Sequence, residues 1–202
     1  MMRHELDLHS ALIAGVVIGI LWPLLTYVIL VGTKLMSEPE TARHEAGHVV
    51  AHFVGFGKAP YRVALTTFQL SNTMGRTTNC SGDDCRGNIS VAEQWHTLVL
   101  LLAGMAAASS RDGGDNDIRT FRDVVLVLLD EQQSGQDISP PWPNDLSLRQ
   151  FDFTDISEEA WRRTTEVVAQ HRPQIDALAE ALLRRGSLEH EEIEAIIDAT
   201  GK

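Results

Sequence analysis

Hydrophobic positions in this 202-residue chain fall into one unbroken run followed by several periodic segments. Ala11 to Gly32 (ALIAGVVIGILWPLLTYVILVG) carries no charged residue over 22 positions. At ~1.5 Å rise per residue such a helix reaches ~33 Å, enough to cross the hydrocarbon core of a bilayer. Trp22 and Pro23 at its middle predict a kink, and Tyr27 brings an amphipathic ring towards the far interface. The leader MMRHELDLHS holds Glu5 and Asp7 and has no small-x-small cleavage pattern, and the run is long for a signal peptide. The expectation is one N-terminal transmembrane helix. Residues 1–36 form tail and anchor, and residues 37–202 form one domain. Arg3 flanks one end of the run and Lys34 and Arg43 the other, which favours a cytoplasmic C-terminal domain.

Beyond the run the pattern turns helical. Ser37-Glu38-Pro39-Glu40 reads as a capping box, with proline tolerated in the first turn. A helix then carries Ala42, Val49, Val50, Phe53 and Val54 until Gly55 and Gly57 stop it. Tyr61 to Leu70 (YRVALTTFQL) is rich in β-formers and predicts a strand, with Gly75 to Thr78 as a partner after the Ser71-Asn72 turn. Ser90-Val91-Ala92-Glu93 is a second capping box, opening a helix through Trp95, Leu98, Leu101 and Leu102 to about Ser109. A third helix starts near Asp115-Asn116-Asp117 and is expected to bury Ile118, Phe121, Val125 and Leu128. Gln132 to Phe153, with Pro140, Pro141 and Pro143, reads as loop. Trp161 to Arg185 is helical with a break near Pro173, and Glu189 to Ala199 is a last short helix. The fold class is mainly α (α+β), a helical domain with a small β element.

Charge narrows the partners. Acids outnumber Lys and Arg, 28 to 17, and the net charge is −11. An acidic chain repels phosphate backbones, so nucleic acid is excluded as an expected partner. Cys80 and Cys85 either stay free thiols or close a small disulfide loop in an oxidising compartment. Two cysteines alone make a poor structural zinc site.

The chemistry sits in the first downstream helix, at His44-Glu45-Ala46-Gly47-His48. Two histidines four residues apart project from one helix face, one turn apart, so two imidazole nitrogens reach a single Zn²⁺. Glu45 beside them is placed to take a proton from water. His52 falls another turn on, but one helix does not bend three successive turns onto one tetrahedral ion, so His52 is read as packing or exposed. Glu93 has a capping task and is a weak ligand candidate. A catalytic zinc needs a third ligand. The extended HExxHxxGxxH pattern fails at Ala51 and Val54, so that ligand lies elsewhere in the chain.

Several stretches, in order, resemble the peptidase domain of FtsH-type membrane-bound zinc proteases. They are Thr41 to Val50, the strand Tyr61 to Leu65, the turn Met74 to Thr77 and the helix Leu101 to Ala107. Gly113-Gly114-Asp115-Asn116-Asp117-Ile118 is similar to the family's glycine loop and helix start, and Ala179 to Leu183 and Leu188 to Ile193 to its ending. The resemblance covers roughly Ser37 to Asp198. It implies that Asp117 is the third zinc ligand, with Asp115 or Asp112 as the alternative, and that Glu45 is the general base. A carboxylate in the first turn of a helix is held as an anion by the dipole, although Asp115 and Asp117 could serve that helix as caps alone.

Two departures from the family stand out. The arginine and glutamates that usually follow the helix glycine are absent from Gly104-Met105-Ala106-Ala107-Ala108-Ser109. The family's ATPase module, expected between membrane segment and peptidase, is missing, because Lys34 runs straight into the peptidase helix. No GxxxxGK[ST] occurs in these residues. The expected activity is a membrane-anchored zinc endopeptidase acting without its own ATPase on unfolded or flexible protein segments, with the strand Tyr61 to Phe68 pairing with extended substrate. A separate ATPase partner, a homo-oligomer and a non-catalytic binding role at the membrane stay open.

Overall fold

The computed structural model describes residues 38–67, 73–78, 89–108, 115–143 and 150–201. The expected anchor, residues 11–32, the Ser37 cap, Cys80, Cys85 and Asp112 lie outside the described residues. The chain divides into two units, Met1–Leu35 and Met36–Lys202, and only the second contains described residues.

That second unit is mainly helical, as the periodicity predicts. Its elements are α1 (Glu38–Phe56), β1 (Arg62–Thr67), β2 (Thr73–Thr78), α2 (Val91–Ala108), α3 (Asp115–Gln133), α4 (Phe153–Gln170), α5 (Arg172–Arg185), β3 (Ser187–Glu189) and α6 (His190–Thr200). Helix α1 is the centre: every residue from Thr41 to His52 except Arg43 is buried. Its small positions let α2 come close. A Cβ on Gly47 would stand 2.5 Å from the Ala103 carbonyl oxygen and 2.7 Å from the Ala107 Cβ, so the glycine is what permits this approach. Gly57, at φ 68°, turns the chain out of α1, its N–H donating to the Phe53 carbonyl.

Helix α2 starts where its capping box predicts. The Ser90 N–H donates to Glu93 Oε2 at 2.7 Å, and the Glu93 N–H donates back to Ser90 Oγ at 3.3 Å. Among the described residues α2 is the one helix long and apolar enough to cross a membrane by length and composition alone. Most of it is packed inside the fold, and Trp95, Leu98 and Ala103 are fully buried, as in the core helix of a globular domain.

Four expectations need correction. Ile118 is 49% exposed, while Phe121, Val125 and Leu128 are buried as predicted. Ile118 belongs to the first turn of α3 and lines an open groove of about 550 Å³ with Arg119, Phe121, Arg122 and Phe153. Helix α4 begins eight residues before Trp161, because Asp152 and Asp155 form a reciprocal cap that precedes the apolar stripe. The segment Ser187–Glu189 is a strand. It pairs antiparallel with β1, placing Arg62 opposite Glu189 with Nε and Oε1 at 3.1 Å. Strand β1 is therefore central in a sheet of order β2-β1-β3, with β2 antiparallel from Arg62↔Thr78 to Thr67↔Thr73. One flank is occupied by β2 and the other, from Arg62 to Ala64, by β3, so the first half of β1 does not offer the free edge that substrate pairing requires.

The described parts of the connection after α3 are pinned at three points. The Trp95 indole donates to the Ile138 carbonyl, Gln132 exchanges two hydrogen bonds with the backbone of Phe151, and Trp142 donates to Glu159. The break between α4 and α5 falls at His171, with Pro173 in the first turn of α5, where its missing N–H costs nothing.

Candidate metal centre

His44 and His48 project from one face of α1, and α3 brings Asp117 to them from 73 residues away in sequence. His48 Nε2 lies 3.0 Å from His44 Nε2. Asp117 Oδ2 lies 3.2 Å from His44 Nε2 and 3.4 Å from His48 Nε2. Both rings are buried, and they meet edge to face at 86°.

One hydrogen bond sets the direction of the cluster. His48 Nδ1 lies 2.7 Å from the Leu100 carbonyl oxygen of α2. A carbonyl only accepts, so this ring carries its proton on Nδ1 and turns the Nε2 lone pair towards His44 and Asp117. The carboxylate of Asp117 sits in the first turn of α3, where the helix dipole favours negative charge. Burial pushes the Asp117 carboxyl up, but its hydrogen bonds to His44 and His48 outweigh this and hold it well below the usual carboxylate range. Burial also opposes charge on His48. The hydrogen bond that the protonated ring donates to Asp117, with the charges of Glu45 and Asp117, overcomes it and raises the pKa of His48. Two ring nitrogens and a carboxylate oxygen so close together attract a cation, whether a proton or a metal.

The donor set suits zinc. Ligand atoms about 2.0–2.1 Å from a tetrahedral ion stand roughly 3.3–3.4 Å from one another. The three observed separations, 3.0, 3.2 and 3.4 Å, describe one face of such a tetrahedron. His44 Nδ1 is buried without a hydrogen-bond partner among the described residues, and Nε2 is the ring nitrogen that faces the cluster. Among the described residues this is the one group of three or more His, Cys, Asp or Glu side chains whose ligand atoms converge.

Glu45 is buried at the adjacent position of α1, and its charge acts on His48. His52 is outside the cluster. It is buried, its Nδ1 bonds the Lys58 carbonyl at 2.9 Å and its ring packs on Phe56. Burial lowers its pKa. Glu93 is held in its cap. Of the alternative ligands, Asp112 and the side chain of Asp115 fall outside the described residues. Sequence reasoning missed the Leu100 carbonyl. A backbone acceptor has no residue-type signature, and only helix packing shows which carbonyl faces the ring.

No family model matches the chain. It is similar over most of its length to ATP-dependent zinc metalloproteases of the FtsH type. FtsH 1 of Conexibacter woesei is 24% identical over 196 residues, covering 82% of this chain and 30% of the relative. FtsH 4 of Sphaerobacter thermophilus is 24% identical over 203 residues, covering 85% and 30%. FTSH 9, chloroplastic/mitochondrial, of Oryza sativa subsp. japonica is 25% identical over 170 residues, covering 78% and 21%. The chain thus spans less than a third of the length of these curated relatives.

Proposed function

We propose that this chain is an FtsH-related zinc endopeptidase. In this reading it is anchored through residues 11–32, holds its catalytic domain on the cytoplasmic side, and cuts unfolded or flexible, membrane-proximal protein segments. The observation that carries it is the convergence of His44, His48 and Asp117 within 3.0–3.4 Å beside the buried Glu45. The similarity to zinc metalloproteases over most of the chain supports the same reading.

His44 and His48 of α1 and Asp117 of α3 would hold the metal. When bound, zinc supplies Lewis-acid polarisation of the scissile carbonyl and makes water more acidic. Glu45 takes the proton of the attacking water and delivers it to the leaving amine, so one carboxylate serves as base and then acid. Leu100 holds the His48 ring in the tautomer that keeps Nε2 free for the ion. The buried walls of α1 and α2 keep the site at low dielectric, which strengthens each of these interactions.

Because no P-loop motif lies in these 202 residues, a second reading is a peptidase subunit driven by a separate ATPase. The test is zinc content together with hydrolysis of an unfolded protein such as casein, on the full chain and on Glu45→Gln. Zinc at one equivalent and hydrolysis lost in the variant is the expected result. A chain without zinc, or equal turnover by the variant, overturns the reading. Hydrolysis that appears only with an added ATPase selects the partner-dependent form.

A further inference from the structure

We propose that Gly104 is a positioning residue of the metal centre: α2 carries no side chain there so that both histidine rings can stand where the ligand set needs them. The proposal rests on the metal-site reading above. A Cβ built on Gly104 would lie 2.6 Å from His44 Cε1, 2.6 Å from His48 Nε2 and 2.7 Å from His44 Nδ1. Heavy atoms do not pack that closely, so a side chain at position 104 and the observed pair of rings exclude one another. Gly104 faces the junction of the two rings, whose centroids are 4.6 Å apart.

Glycine in a helix interior is disfavoured against alanine, so its presence inside α2, one turn before Ala108, needs a local cause. That cause is not helix packing in general. Gly47 on the same seam faces backbone and a methyl group, Ala103 O and Ala107 Cβ. Gly104 faces imidazole. Leu100, one turn earlier on α2, supplies the carbonyl that holds the His48 ring. Helix α2 is thus a template for the ligands: one carbonyl orients a ring, and one bare Cα leaves room for both.

The two glycines therefore have separable tasks. Gly47→Ala meets backbone and disturbs the fold. Gly104→Ala meets the ends of two side chains, which can swing aside, so the fold survives at the expense of the ligand geometry.

The experiment measures zinc affinity by chelator competition, and the cobalt ligand-field spectrum, for the full chain and Gly104→Ala. Outer-shell support of a metal site is typically worth about 10–100-fold in affinity, and a loss of that order with an altered cobalt spectrum is expected. Affinity within about twofold of the parent with the same spectrum overturns the proposal. A second arm needs no metal. Thermal unfolding in EDTA is compared for Gly104→Ala in the native background and in His44→Ala/His48→Ala, a double-mutant cycle on the ring contact. Any destabilisation by Gly104→Ala, including outright failure to fold, should vanish once the rings are gone. Destabilisation of equal size in both backgrounds means ordinary packing and overturns the proposal. If the parent chain binds no zinc, the metal reading fails by itself, and the EDTA cycle still decides whether Gly104 makes room for the rings.

Discussion

His48 donates its Nδ1 proton to the carbonyl of Leu100, 52 residues away in sequence and 2.7 Å away in the fold. This contact ties the helix of the HExxH motif to the apolar helix packed against it. It leaves His48 Nε2 pointing at His44 and Asp117. In the proposed reading it separates His44, His48 and Asp117, which would hold the ion, from Glu45, which would move the proton.

Glu45→Gln should bind zinc as the parent does and lose hydrolysis by about 10²–10⁴-fold in kcat, the range for removing a general base. His44→Ala and His48→Ala should lose the metal itself. Zinc content beside casein cleavage separates the two outcomes. Turnover by Glu45→Gln near the parental rate refutes its assignment as base.

Asp117→Asn should cut zinc affinity by at least about 10-fold, because a neutral amide replaces an anionic ligand. Asp115→Asn should leave it within about twofold if Asp115 only helps start α3. Chelator competition on both variants checks this. The reverse ranking would move the third ligand to Asp115.

Stability should fall in acid through Glu159. This buried carboxylate accepts from the Trp142 indole at 2.6 Å and from Arg162 at 2.8 and 2.6 Å. Burial raises its pKa, but the bonds from Arg162 and Trp142 outweigh that and hold it below the ordinary value. A depressed carboxylate contributes stability that is fully present above its unfolded pKa, about 4.3, and is lost as pH falls through the lower folded value. Glu159→Gln should cost about 1.5–3 kcal/mol at pH 7 and flatten the acid limb of Tm against pH. Parallel limbs in the two proteins would show that Glu159 contributes nothing to it.

The full chain should stay with membranes after carbonate extraction, and residues 37–202 alone should be soluble. Recovery of the full chain in the soluble fraction would mean that residues 11–32 do not span.

Purified protein should cut a disordered substrate and spare the same sequence fused to a stable domain, with or without ATP. Opening a folded domain requires work against about 5–15 kcal/mol, which peptide hydrolysis does not supply. ATP-dependent degradation of the fused domain by the purified chain alone would refute the motor-free reading.

Local information settled a large part of this protein. The four-residue spacing of His44 and His48 puts both on one face of any α-helix. The Ser90–Glu93 box starts α2 because its two hydrogen bonds close within four residues. Pro173 marks the end of α4 to within three residues, because its ring forbids a helix interior. Long-range packing decided the rest. Strand β3 is three residues long and exists because β1 offers a partner edge, which a short window of sequence does not reveal. Ile118 fits the apolar stripe of α3 yet stays exposed, because periodicity states which face is apolar and not how far the neighbouring helix extends along it. Asp117 reads as a cap or a ligand with equal ease until α3 is docked beside α1. Helical periodicity acts over a few residues and is written in their order. Convergence of three donors from two helices, and the carbonyl that orients one of them, depends on chain segments brought together by folding, so the tertiary structure alone decides it.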